Sequence, residues 1–196
     1  EYSCATINID NNVLCSDEFN INELEYENLV YTNFSEITFD TNYTCDINGI
    51  ILYNYSNSDF EEYNGLYYHP GQMFGKAIGN LDLYVKTGNA IYYSKVIKYA
   101  NKFIEISDFS RDAMYFPYKF PFKLHETVYY PGYPNIFDVI EPPWYSAMAQ
   151  GQILSFFCRL YLITEEDIYL DFADQIYYSF KNFDNNIDSW TVLIDK

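Results

Sequence analysis

Positive charge is the scarcest resource in this chain of 196 residues. It carries 11 Lys and Arg against 28 Asp and Glu, for a net charge of -17 and an isoelectric point near 4.2. With no basic block to supply phosphate contacts, nucleic acid and anionic lipid surfaces are excluded as partners. A polyanionic substrate is repelled too, unless the few cations converge locally. His69 and His125 are the only histidines. No CxxC, HxxxH, Gly-rich phosphate cradle or Ser/His/Asp order is present, so neither a metal nor a cofactor is expected. Asp10-Asn11-Asn12 has part of a calcium loop but lacks its central Gly and closing Glu. No run of about 20 apolar residues spans a bilayer, and no basic segment followed by an apolar one opens the chain. A mature secreted protein with its signal removed has this appearance.

Rings are abundant: 21% of residues are aromatic, with 23 Tyr and 16 Phe. Tyr couples area to a hydroxyl, which suits cores with wet edges and also sugar-binding clefts; an AT-rich coding sequence produces the same enrichment. Cys4, Cys15 and Cys45 fall in the polar first quarter and Cys158 in an apolar run. One disulfide among the first three, or a bond to a cysteine elsewhere, is expected. The acceptor triplets beginning at Asn33, Asn42 and Asn54 cluster in the same region, which favours the secretory pathway and N-glycosylation.

Residues 1–62 alternate short β-prone pieces (Ala5 to Ile9, Glu36 to Phe39, Gly49 to Tyr55) with Asn and Asp, and Ile21 to Val30 reads as helix or extended. Asn48-Gly49 predicts a turn into a strand over Ile50 to Tyr53. This portion reads as a small β-rich or irregular N-terminal segment, followed by a helical part over 63–196. Tyr63 to Pro70 reads as a loop that exposes Tyr67, Tyr68 and His69 or lines something with them. From Gln72, Phe74, Ile78, Leu81 and Val85 recur on one helical face, and Gly88-Asn89 stops it. A second helix over Ala90 to Glu105 buries Tyr92, Val96, Tyr99, Ala100 and Phe103. Met114 to Phe122, crowded with rings and prolines, must be extended or hairpin-like, as must Tyr129 to Pro134.

Glu141 to Leu162 organises the rest. Pro142 and Pro143 suit a helix start, and Met148, Ile153, Phe156, Phe157, Leu160 and Tyr161 occupy several sides of the helical wheel. A helix apolar nearly all round is buried, so Ser146, Gln150, Gln152 and Arg159 need partners or a ligand-lined wall. Thr164, with Asp167 three residues on, reads as the cap of the next helix, whose face is Tyr169, Leu170, Ala173, Ile176, Tyr177 and Phe180. Trp190 to Ile194 reads as a strand or as the beginning of another connection. An internal match at an offset of 77 aligns Leu83-Tyr84-Val85-Lys86-Thr87 with Leu160-Tyr161-Leu162-Ile163-Thr164, and Phe103 with Phe180. The expected fold is mainly α: helical hairpins at about 72–105 and 144–181, which stack as part of an incomplete α/α toroid. The rest of the ring would come from the remainder of the protein or from another chain.

Glu141 to Gln152, with Arg159 following, resembles the signature of the D-glucuronyl C5-epimerase C-terminal domain family, and Leu83 to Gly88, Met114 to Tyr118 and Leu160 to Leu162 resemble satellite segments in the same order. The resemblance spans about Tyr63 to Phe180 and implies an α/α toroid behind a β-rich portion. It also implies action on uronic-acid units of polysaccharide, in the Golgi lumen or outside the cell, by removing the C5 proton and returning one to the opposite face. That chemistry needs two acid/base groups and donors or a cation for the carboxylate. The family's proposed acid/base tyrosines match no segment here, so this chain alone is expected to be inactive.

Candidate substrate-binding residues are Trp144 and Tyr145 (ring faces for a sugar, or a packed helix start), Gln150 (a sugar-hydroxyl ligand, or a brace for loop carbonyls), Glu141, Arg111 and Tyr118. Gln152 reads as structural. Lys119 is a further carboxylate ligand, and Arg159 either clamps a carboxylate or pairs with Glu141 or Asp167. The histidines either shuttle a proton or merely pack. The alternative to an epimerase-like protein is a non-catalytic structural or carbohydrate-binding secreted glycoprotein that assembles with other chains.

Overall fold

The computed structural model describes residues 44–123 and 139–181. The chain divides into two compact units, Glu1–Thr32 and Asn33–Lys196, and every described residue lies in the second. Expectations for Ala5 to Phe39, Tyr129 to Pro134, His125, Cys4, Cys15 and Trp190 to Ile194 fall outside the described residues. Strand β1 (Tyr53–Tyr55) pairs antiparallel with β2 (Gly65–Tyr67).

Asp46 builds the turn that Asn48-Gly49 predicts. Its carboxylate accepts from the backbone N–H of Asn48 and Ile50, and Gly49 takes a φ of 81°, which a side chain would resist. The strand begins later than expected, with Ile51 making only an isolated bridge to Cys45. A single 3-10 turn at Glu61–Tyr63 and β2 replace the expected loop before Pro70.

Four helices dominate: α1 (Pro70–Thr87), α2 (Ala90–Ile106), α3 (Ala147–Thr164) and α4 (Asp167–Tyr178). They form the two expected hairpins, α1 packing on α2 and α3 on α4, with α1 also against α3. Phe74, Ile78 and Leu81 are buried, while Val85 emerges near the helix end. On α2, Val96, Tyr99, Ala100 and Phe103 are buried and Tyr92 is half-buried. Phe103 meets Phe116, Phe156 and Phe157 edge-on at 5.7 to 6.4 Å between ring centres, which joins the hairpins through one aromatic core.

The repeat at an offset of 77 extends to the caps. His69 and Ser146 are the N-caps of α1 and α3: His69 Nδ1 accepts from the N–H of Gln72 at 3.1 Å, and Ser146 Oγ from that of Ala149 at 3.4 Å. At the far end, Thr87 and Thr164 each turn a hydroxyl back to the carbonyl four residues earlier. Gly88 and Glu165 both take left-handed backbone, with φ of 67° and 58°, and donate to Tyr84 and Tyr161 at 2.7 Å. Thr164 therefore closes α3. It does not cap α4, whose N-cap is Glu166. Tyr93 packs at a tilt of 40° against Tyr84, 4.9 Å between ring centres, and lies close enough to Glu166 for that carboxylate to add to burial in raising its pKa. The two turns thus neighbour each other, and α1 and α3 run side by side in the same direction.

Four two-stranded ladders surround the other end. β3 (Asp108–Ser110) and β4 (Ala113–Tyr115) form a hairpin whose two turn residues, Arg111 and Asp112, both have positive φ, the geometry that matches strand twist. β5 (Pro117–Tyr118) pairs with β8 (Trp144–Tyr145), and β6 (Phe122–Lys123) with β7 (Val139–Ile140). The expected helix start at 144 is thereby corrected. Pairing with Pro117–Tyr118 holds Trp144 and Tyr145 extended, and α3 begins only after Ser146. Met148, expected in the core, is 66% exposed on that first turn. No disulfide joins described residues; Cys158 is a free thiol and Cys45 is exposed.

Candidate functional site

The residues before α1 and α3 converge in a cluster of rings. Trp144 stacks on Tyr118, with centres 4.0 Å apart and planes 12° from parallel, as β5–β8 pairing dictates. The indole Nε1 donates to the carbonyl of Phe120 at 2.7 Å. Phe120 is buried and packs on Tyr53, Tyr55 and Tyr67 from β1 and β2. At the outer end of the cluster Phe122 leans on Trp144 at a tilt of 38°, 5.3 Å between ring centres, and is 44% exposed. A ridge thus runs from buried Tyr118 through half-buried Trp144 to open Phe122, with exposed Lys119 in the same segment.

Tyr118 also reaches α1. Its hydroxyl accepts from the N–H of Gly71 at 3.4 Å, and its ring meets His69 edge-on at 4.9 Å. A Cβ at Gly71 would stand 3.3 Å from that hydroxyl, 3.5 Å from His69 Cε1 and 3.7 Å from Gln152 Oε1, so a small residue lets the three approach. Burial raises the pKa of Tyr118, so its phenol stays protonated at neutral pH and acts as a hydrogen-bonding group, not a base. Burial lowers that of His69, and the neutral ring leaves Nδ1 as the cap acceptor.

Tyr145 faces the neighbouring hairpin. Its hydroxyl donates to Asp108 at 2.8 Å and its ring lies 5.4 Å from Tyr115. Tyr68, one repeat earlier, likewise donates to Asp46 at 2.9 Å. Burial opposes the charge on Asp46, but the Ile50 N–H, the Tyr68 hydroxyl, the Asn48 N–H and Lys102 outweigh it and hold the pKa below the ordinary value.

The structure separates the other candidates. Gln150 is 4% exposed: its oxygen accepts from Phe116 N–H at 2.9 Å, and its amide nitrogen donates to Met114 O and Ser179 Oγ, both at 2.9 Å. Both amide hydrogens are committed, so of its two expected roles Gln150 fits the brace, here between α3, α4 and the aromatic segment. Arg159 is 2% exposed, with Nε donating to Ser155, whereas Glu141 and Asp167 lie exposed. Arg111 sits exposed at the tip of the β3–β4 hairpin. Of the acceptor asparagines, Asn54 is exposed on β1, and Asn33 and Asn42 lie outside the described residues.

Sequence reading missed Phe122, Phe120 and the capping role of His69. It also missed Lys76, Asn80, Asp82 and Lys102 as buried polar groups, of which Asn80 Nδ2 donates to the Lys76 carbonyl at 2.7 Å. The alternation of Tyr118, Phe120 and Phe122 was the available signal, because rings two apart in an extended segment share a face. Among the described residues no three His, Cys, Asp or Glu are grouped to hold a metal ion, and no helix is long and apolar enough to cross a membrane.

No solved structure matches this chain. Residues 119–186, which carry Phe120, Phe122, Trp144 and the second helical hairpin, match the family model described as D-glucuronyl C5-epimerase C-terminus; the match is partial and the first hairpin lies outside it.

Proposed function

We infer that this chain is part of a glucuronyl C5-epimerase-like protein, and that it binds uronic-acid-containing polysaccharide along the ridge of Phe122, Trp144 and Tyr118. The observation that carries this reading is the stack itself, which presents an open ring beside a half-buried indole within the span matched to the epimerase family. A pyranose has an apolar face that covers such a ring. The two hairpins would be neighbouring staves of an α/α toroid completed by the remainder of the protein or by another chain. Stacked hairpins of one orientation, capped by strands at one end, support that arrangement.

Epimerisation needs a base for the C5 proton and an acid on the opposite face. Tyr118 is protonated and held by Gly71, so the binding role is better supported than the catalytic one. A second reading, a non-catalytic structural or carbohydrate-binding secreted glycoprotein that assembles with other chains, draws on the commitment of Trp144 Nε1, the Tyr145 hydroxyl and the Gln150 amide to bonds within the fold.

Titration with a uronic-acid oligosaccharide tests the binding proposal. Phe122→Ala should weaken affinity about tenfold, from the loss of roughly 1.4 kcal/mol of stacking, without unfolding a residue so exposed. Unchanged affinity would remove the ridge from the account. Release of label from C5-labelled polymer by the full-length protein would favour the epimerase reading, and binding without release the second.

A further inference from the structure

We propose that Asn54 carries an N-linked glycan whose first sugar lies over Leu66, which places this protein in the lumen of the secretory pathway during its synthesis. This goes beyond the polysaccharide reading and does not depend on it. Three features of β1 converge. The strand turns Asn54 outward and Tyr55 inward, and Ser56, just past its end, is exposed too, so the acceptor amide and the hydroxyl two residues on are both accessible while the residue between anchors the segment.

The Asn54 amide is also uncommitted among the described residues, in contrast to its neighbours. Asn57 Oδ1 accepts from the N–H of Asp59, and Asn64 Oδ1 from that of Asn57, so both build the connection to β2. Finally, Asn54 stands directly opposite Leu66 in the ladder, and Leu66 is 52% exposed. An apolar side chain open to water on a two-stranded sheet is a liability for edge pairing. Side chains of directly opposed strand residues lie within about 5.5 Å at Cβ, so a sugar on Asn54 covers Leu66.

The chemistry is transfer from a lipid-pyrophosphate-linked oligosaccharide by an oligosaccharyltransferase. The Asn54 amide nitrogen forms a bond to C1 of the terminal N-acetylglucosamine and loses a proton to base, and the bond from C1 to the pyrophosphate oxygen breaks, releasing the lipid pyrophosphate. No oxidant or reductant is involved.

The test is mass spectrometry of the protein isolated from the cells that make it, digested and treated with peptide N-glycosidase in heavy-oxygen water, with an untreated control for spontaneous deamidation. The expected result is a heavy-oxygen aspartate at position 54, lost in Ser56→Ala protein, which keeps the asparagine. Unmodified Asn54 overturns the assignment, including the case in which Asn33 or Asn42 alone is occupied. Hydrogen exchange over Gly65–Tyr67 tests the seat of the sugar: exchange slower with the glycan than after its removal is expected, and identical exchange overturns the cover on Leu66.

Discussion

Gln150 shows how a polar side chain in an apolar helix is satisfied: three bonds to Phe116, Met114 and Ser179 replace the water it has lost. Gln150→Leu should destabilise the fold by about 2–4 kcal/mol, because it leaves the buried Phe116 N–H and Met114 carbonyl without that partner; urea unfolding measures the loss. His69 adds a pH dependence. Burial depresses its folded pKa below the ordinary 6.5, so between those values the unfolded chain binds more protons and stability falls as pH drops below about 6.5. Thermal melts from pH 8 to 5 should show this decline. His69→Ser, which copies the Ser146 cap of the second hairpin, should flatten it while α1 remains capped. That Gln150 and Arg159 are buried was legible from a helix apolar on several sides. Which groups they bond was not, since Phe116 and Met114 come from a segment more than thirty residues away.

At the scale of elements, the two hairpins were written in the sequence with their turns. Phe74, Ile78 and Leu81 gave the period, and the shared Leu-Tyr segment gave the repeat. The caps were less visible, because His is a weak N-cap by preference and Thr164 closes one helix where it could have opened the next. Strand β8 was hidden for another reason: two residues are too few for a period, and only a distant partner, Pro117–Tyr118, keeps Trp144 and Tyr145 out of the helix. The matched turns make a paired prediction. Gly88→Ala should cost about 1 kcal/mol, since left-handed backbone disfavours a Cβ, and Glu165→Gly, at the equivalent position, should gain up to about 1 kcal/mol. Opposite shifts in melting temperature would confirm that the turns are equivalent, and shifts of the same sign would not.

Across the whole molecule, acidity and aromatic surface pull in opposite directions. A net charge of -17 repels a uronic-acid polymer at long range, whereas the ridge of Phe122 and Trp144 rewards contact. Association should therefore strengthen as salt rises toward physiological strength and screens the repulsion, the reverse of a basic polyanion-binding protein. The ridge was only half legible in the sequence. The run of rings from Tyr115 to Phe122 announced itself, but that Phe120 is buried while Phe122 is open depends on Tyr53, Tyr55 and Tyr67 covering one and not the other. The most direct measurement is the nuclear magnetic resonance of the indole N–H of Trp144, in protein with Trp190→Phe, during titration with a uronic-acid oligosaccharide. The account predicts a saturating shift of that resonance, weakened in Phe122→Ala; a resonance that stays fixed while the oligosaccharide binds elsewhere, or does not bind, would contradict it.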